Sequence, residues 1–204
     1  MLNKIIIAFS TLFSLNADSL PEPYASIVEI PFDDHGWFGN QPQLDAVFRE
    51  DIKVVIEIGS WLGKSTRYFA EKVGTDGKVY AIDTWLGSDE EKEHQVDPRL
   101  KKLYQLFLSN IKQSGFANRV VPFRMKSQEA AIALNVKGDL IYIDGAHDYK
   151  SVYEDILAWK DHLNEGGVLC GDDWEWKSVR DAVRAASKKL GRGFHHERNF
   201  WWFD

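Results

Sequence analysis

Five short apolar runs, each ending in a polar or glycine-rich turn, constrain the fold of this chain more than any other feature. They are "KVVIEIG" (53–59), "KVYAID" (78–83), "RVVPFR" (119–124), "DLIYID" (139–144) and "GGVLCGD" (166–172). A strand with one wet face alternates polar and apolar residues. A nearly continuous apolar run suits a strand covered on both faces, as in a parallel sheet. Between these runs the apolar positions recur at three and four residues. Leu100, Leu103, Tyr104, Phe107 and Ile111 form one stripe; Val152, Ile156, Trp159 and Leu163 a second; Val179, Ala182, Val183, Ala186 and Leu190 a third. Each stripe predicts a helix lying on a sheet face. Strand and helix in alternation predict a doubly wound α/β sheet with right-handed crossovers.

The remaining bulk features narrow the class. The 204 residues suit one domain with a sizeable core, and no internal repeat or low-complexity tract divides them. A net charge of -6 argues against a general nucleic-acid binder, which needs a basic face. The single cysteine, Cys170, excludes an internal disulfide and lies within an apolar run, as a buried structural thiol would. At the N-terminus, Lys4, the apolar stretch Ile5 to Leu15 and the small residues around Ala17 have the layout of a secretory signal peptide. That stretch is too short to span a bilayer as a stable helix. Residues 1–18 are therefore set apart, and 19–204 are expected to form the single domain.

In an open α/β sheet, ligands bind beyond the carboxyl ends of the strands, so the residues that follow each run carry the functional information. The first run leads into "EIGSWLGKS", with Glu57, Gly59 and Gly63 in the pattern E-x-G-x-x-x-G. Glycine there permits close ligand approach. Trp61 stands where a dinucleotide fingerprint needs its middle glycine, and the spacing to Gly-Lys-Ser is one residue short of a phosphate loop. The second run ends in Asp83, placed to accept hydrogen bonds from ribose hydroxyls; with the first turn it favours an adenosine-containing cofactor. The fourth ends in Asp144, with His147 three residues on, and the fifth in the adjacent Asp172 and Asp173. An oxygen-rich, thiolate-free cluster of this kind suits a hard cation such as Mg2+. His147, with an ordinary pKa near 6.5, suits a general base. Trp37 is as suited to an acceptor pocket wall as to packing, and His195 and His196 read as an exposed pair.

Taken together, "IEIGSWLGKST", "YAIDTWLGS", "SQEAA", "IYIDGAHDYKSVYEDILAW" and "LNEGGVLCGDDW" resemble the class I S-adenosylmethionine-dependent methyltransferases, in order and spacing, from about Leu20 to Leu190. The resemblance is to the small-molecule branch containing the macrocin and aminocoumarin-sugar O-methyltransferases. It implies a Rossmann-like methyltransferase sheet and S-adenosyl-L-methionine as cofactor. By that resemblance Glu57, Gly59, Ser60 and Gly63 would hold the methionine end, Asp83 and Thr84 would lie at the ribose, Ser127 near the adenine, and Trp85 would contact the cofactor from over the pocket. The segment from Gly87 to Arg99 would lie over the pocket. Asp144, Asp172 and Asp173 match the metal ligands of metal-dependent members, Asp144 also facing the cofactor, and His147 falls where relatives carry a histidine.

The function this implies is metal-assisted O-methylation of a small hydroxylated acceptor, sugar- or catechol-like, because a divalent cation lowers the pKa of a hydroxyl it binds. The alternatives are a cofactor-binding module without catalysis, interacting through tryptophan-rich segments around Trp174, Trp176, Trp201 and Trp202, and a metal-dependent hydrolase. A hydrolase leaves the Glu57–Gly63 turn and Asp83 without a purpose. Expected partners are the small acceptor and a second copy of the chain, with no nucleic acid and no stable membrane span. Localisation pulls two ways: the cofactor is cytosolic, whereas the N-terminal layout is that of export.

Overall fold

The computed structural model describes residues 19–88 and 96–204. The N-terminal segment with the export-like layout lies outside the described residues, as does most of the expected cover between Gly87 and Arg99. Each apolar run forms a strand: β1 (Val54–Ile58), β2 (Lys78–Asp83), β3 (Val120–Arg124), β4 (Gly138–Ile143) and β5 (Leu163–Gly171). These five pair in parallel in the order β3-β2-β1-β4-β5, so the order reverses between β1 and β4. The carboxyl ends of those two strands diverge into helices on opposite faces, which opens a crevice at that edge.

Six α-helices are present among the described residues: α1 (Gln41–Val47), α2 (Lys64–Lys72), α3 (Leu103–Gln113), α4 (Ser127–Ala133), α5 (Tyr149–Trp159) and α6 (Lys177–Leu190). The predicted stripes form the buried faces of α3, α5 and α6, except that Leu100 lies in the 3-10 turn before α3 and Leu163 opens β5 instead of continuing α5. Leu103, Phe107 and Ile111 pack with Val55, Val79 and Leu140 on one side of the sheet. Val152, Ile156, Trp159, Val179 and Val183 pack with Ile56, Ile141 and Leu169 on the other. Two-sided burial is therefore the reason the runs are continuous. Asp148 caps α5, its carboxylate accepting the Ser151 N–H at 3.0 Å, and Gly191 ends α6 in the left-handed region.

The carboxyl end of the chain departs from the parallel expectation. Phe194–Glu197 (β6) and Phe200–Phe203 (β7) form a hairpin, and β7 adds antiparallel to β5, making a seven-stranded mixed sheet. Of the four tryptophans expected to form an interacting surface two are core, Trp201 fully buried and Trp174 6% exposed, while Trp202 is half-buried and Trp176 48% exposed. Indole is mostly apolar, and Trp201 meets its one polar need by donating Nε1–H to the Asp172 carbonyl at 2.8 Å. Cys170 is buried as expected. His195 is exposed and hydrogen-bonds Asp204 at 2.6 Å, while His196 stacks on Trp174. No helix among the described residues is long and apolar enough to cross a membrane.

Candidate active site

The crevice at the carboxyl edge is a cavity of about 810 Å³. This lies toward the upper end of the range for small-molecule sites. The first turn supplies its floor. Gly59 has φ +88°, and a Cβ there would sit 1.9 Å from the Asp144 carbonyl oxygen. The turn is held from below by Glu57, a fully buried carboxylate whose Oε2 accepts the hydroxyls of Ser60 (2.8 Å) and Thr66. Glu57 and Gly63 do not line the cavity, whereas Gly59 and Ser60 do. Gly63, at φ +82°, opens α2 where its bare Cα fits against Phe107 and Ile111.

Asp83 ties the first turn to the second. Its Oδ2 accepts the N–H groups of Ser60 (3.0 Å) and Trp61 (2.9 Å), and its Oδ1 accepts that of Trp85 (2.7 Å). Asp83 and Thr84 line the cavity. Trp85 faces away from it: the ring is 1% exposed, packs on Tyr104 and Phe107, and donates Nε1–H to the Trp61 carbonyl at 2.8 Å. Its large apolar ring is worth more buried under α3 than lying over a polar pocket, where it was expected. Ser127 and Gln128, opening α4, line the cavity's β3 end.

Asp144, Asp172 and Asp173 meet beyond β4 and β5. The backbone N–H of Asp144 donates to the Ile58 carbonyl (2.8 Å) and that of Asp172 to the Ile143 carbonyl (3.1 Å), so the sheet ladder itself sets their spacing. Burial and the charges of Asp172, Asp173 and Glu57 push the Asp144 carboxyl well above the usual carboxylate range; burial and Asp173 raise Asp172. His147 approaches Asp173 with Nε2 2.8 Å from Oδ2, and its ring stacks on Trp176.

The donor chemistry of this cluster suits a hard cation, but the arrangement does not present it. Among the described residues no group of three His, Cys, Asp or Glu side chains is placed to hold a metal ion. The Asp172 carboxylate is occupied by protein donors: Tyr142 Oη–H (3.1 Å) on Oδ2, and Asn199 Nδ2 (2.7 Å) and the Asp173 N–H (2.6 Å) on Oδ1. Asp173 is engaged by His147.

Several residues of the site carry no signal in the sequence motifs. Asn40, 4% exposed, and Gly36 to Gly39 bring one wall, with Trp37 61% exposed at its rim. Arg198 and Asn199, from the turn between β6 and β7, form another; Asn199 grips Asp172 and also accepts the Glu175 N–H at 2.8 Å. Arg198-Asn199 lacks the glycine of the usual two-residue hairpin turn, so the sequence does not announce it. Trp61, Trp85, Asp173 and Arg198 have positive φ, a conformation costly for residues with a Cβ, and all except Trp85 line the cavity. Such strain gathers where a site is held in one geometry.

Glu57 makes the support of the turn pH-sensitive. Burial raises its pKa from 4.5 to about 7. The folded state therefore binds a proton that the unfolded chain releases, so this contribution to stability is complete below pH 4.5 and lost as pH rises to 7. The change is on the order of 3 kcal/mol. Urea unfolding at a series of pH values should show Glu57→Gln flattening this decline, with the variant gaining relative stability toward pH 7. Parallel profiles for the two proteins would exclude it.

The methyltransferase-domain family matches residues 56–174, more than half of the chain. No curated protein sequence matches it. Among solved structures, a Staphylococcus aureus protein provisionally assigned as a caffeoyl-CoA O-methyltransferase aligns at 17% identity over 82% of this chain and 85% of its own, with a TM-score of 0.61. The Bacillus cereus O-methyltransferase in complex with SAH aligns at 15% identity over 84% of each chain (TM-score 0.59). TomG from Streptomyces achromogenes, an O-methyltransferase of tomaymycin synthesis in complex with SAM, aligns at 14% over 79% and 78% (TM-score 0.60). The matched span runs from within β1 past Asp172 and Asp173, taking in the glycine turn, Asp83, Asp144 and His147, and the chain belongs to the methyltransferase-domain family.

Proposed function

We propose that the protein transfers a methyl group from S-adenosylmethionine to a hydroxyl of a small acceptor, sugar- or catechol-like, with His147 as general base. The observation that carries this reading is one continuous cavity holding both the bare-backbone turn at Gly59 with Asp83 and the His147–Asp173 pair. Its glycine-lined floor and ribose-height carboxylate fit the cofactor, and its volume leaves room for a second small molecule. The O-methyltransferases it resembles in fold support oxygen as the target.

The cofactor, when bound, supplies a methyl carbon on a cationic sulfonium. The acceptor hydroxyl must lose its proton as it attacks. His147, whose Nε2 lies 2.8 Å from the Asp173 carboxylate, takes that proton, and Asp173 stabilises the imidazolium that forms. The products are the methyl ether, the neutral thioether and protonated His147. Asp144 and Asp172 form the back of the pocket, and Trp37 and Trp176 supply flat walls for a ring. Orientation by these walls contributes several kcal/mol to lowering the barrier.

A second reading has Mg2+ held by Asp144, Asp172 and Asp173. One observation favours it: the partners of these carboxylates are Tyr142, Asn199, a backbone N–H and His147, and no lysine or arginine among the described residues neutralises them. It requires Asp172 to exchange Asn199 for the ion. Calorimetric titration with S-adenosylhomocysteine, then turnover on catechol and sugar diols with and without chelator, separates the readings. Turnover that persists in chelator is expected here; turnover lost in chelator and restored by Mg2+ would replace the base with the ion. Cofactor binding with no turnover on any hydroxylated acceptor would favour a binding module instead.

A further inference from the structure

Asn40 has no part in the mechanism above, and no structural duty explains its burial. It directly precedes α1, where an asparagine normally accepts an N–H of the helix's first turn. Pro42 lacks one of those N–H groups, and the Asn40 backbone, at φ -93° and ψ 13°, lies outside the extended region that a capping residue uses; no capping bond forms. The side chain turns instead to the cavity, which it lines together with Gly39 and Asp172 while only 4% exposed. Its Nδ2 is directed at the Asp172 carboxylate but closes no full hydrogen bond, and its oxygen accepts none from any described residue. A buried carboxamide left unsatisfied is unfavourable, and one that lines a cavity points to a ligand.

The surroundings of the carboxamide say which ligand group fits it. Asp172 meets Asn40, and the next residue, Asp173, meets His147 at 2.8 Å, so Asn40 and the base stand at neighbouring points of the acceptor end. With Nδ2 turned to Asp172, the oxygen is the end left for a ligand, and it can only accept. A carbonyl, an ether or a C–H edge cannot satisfy it, whereas a hydroxyl can. We propose that Asn40 determines acceptor specificity: its carboxamide oxygen accepts the proton of a second hydroxyl, adjacent to the one that is methylated, so that the acceptor is a vicinal diol. This rests on the methyl-transfer reading given above and narrows its acceptor class. A methoxy group carries no proton, so the mono-methylated product cannot renew the bond and is held less tightly than the diol.

Calorimetric titrations of the full chain loaded with S-adenosylhomocysteine test the proposal, with catechol set against phenol and guaiacol, and vicinal cis-cyclohexanediol against cyclohexanol as the non-aromatic arm. In at least one arm the native protein should prefer the diol by about 10-fold or more, the effect of one hydrogen bond lost at a buried group. In Asn40→Leu, which fills a similar space without polar atoms, that preference should fall within about threefold, while affinity for S-adenosylhomocysteine stays within about threefold of native. Asn40→Ala repeats the comparison should the larger side chain disturb folding. A role confined to supporting Asp172, or a diol preference supplied by a bound cation, would leave the ratio unchanged in both variants, and that result overturns the proposal. Absence of a diol preference in both arms of the native protein overturns it as well, and methyl transfer to the mono-hydroxyl compounds would then spare the methyl-transfer reading. A diol preference lost in Asn40→Leu, with no methyl transfer to any of these compounds, would keep the site and remove the reaction.

Discussion

Gly59→Ala is expected to cost on the order of 4 kcal/mol of stability, enough to leave much of the protein unfolded, because total stability is only about 5–15 kcal/mol. Two independent causes add. The residue sits at φ +88°, where an L side chain is strained, and its Cβ would lie 1.9 Å from the Asp144 carbonyl oxygen and 2.8 Å from the Gly145 Cα. Both are backbone atoms of the adjoining strand end, so neither can swing aside. Relief would require β1 and β4 to part at their carboxyl ends, where Asp144 N–H donates to the Ile58 carbonyl. Gly145→Ala is the matched control: it lines the same cavity, has no positive φ, and its Cβ would make ordinary contact with Ile58 at 3.5 Å. Urea unfolding should therefore separate the two by several kcal/mol. A Gly59→Ala protein within about 1 kcal/mol of native would show that this turn adjusts freely.

The same contrast explains what could be read from the sequence. Gly59, Asp83, Asp144 and Asp172 were legible because strand periodicity fixes where each run ends, and a parallel sheet aligns those ends at one edge. The three helix stripes were legible because each covers its own strand neighbours. The terminal hairpin was not: four-residue strands are too short to show a period, and antiparallel addition to β5 depends on a partner distant in sequence. Trp85 and Trp201 were misplaced for a related reason. A sequence shows that an indole has one polar atom, but not that the Trp61 and Asp172 carbonyls will satisfy it in the core. Asp155 looked like one polar position on an amphipathic helix, and only the approach of α4 makes it a buried acid facing the cavity.

His147→Ala is expected to lower turnover by about 10²- to 10⁴-fold, the usual contribution of a positioned base, while leaving affinity for S-adenosylhomocysteine within a factor of about three. The argument is geometric. His147 follows β4 by four residues, lies half-buried at the cavity wall, and is held on two sides, by Asp173 at 2.8 Å and by the Trp176 ring at 4.8 Å. Asp173 reaches it from a left-handed backbone (φ +65°), a strained conformation that its N–H bond to the Asp172 carboxylate helps to hold. Asp173→Asn keeps the shape but removes the charge that stabilises imidazolium, so its loss should fall in the same direction and be smaller. In the double variant the two losses should add to much less than their sum, as they do for groups acting as a unit. Rapid-quench measurement of the methyl-transfer step distinguishes this from slow product release. Additive losses would mean that His147 and Asp173 act separately, and an undiminished transfer rate in His147→Ala would remove the histidine from the chemistry.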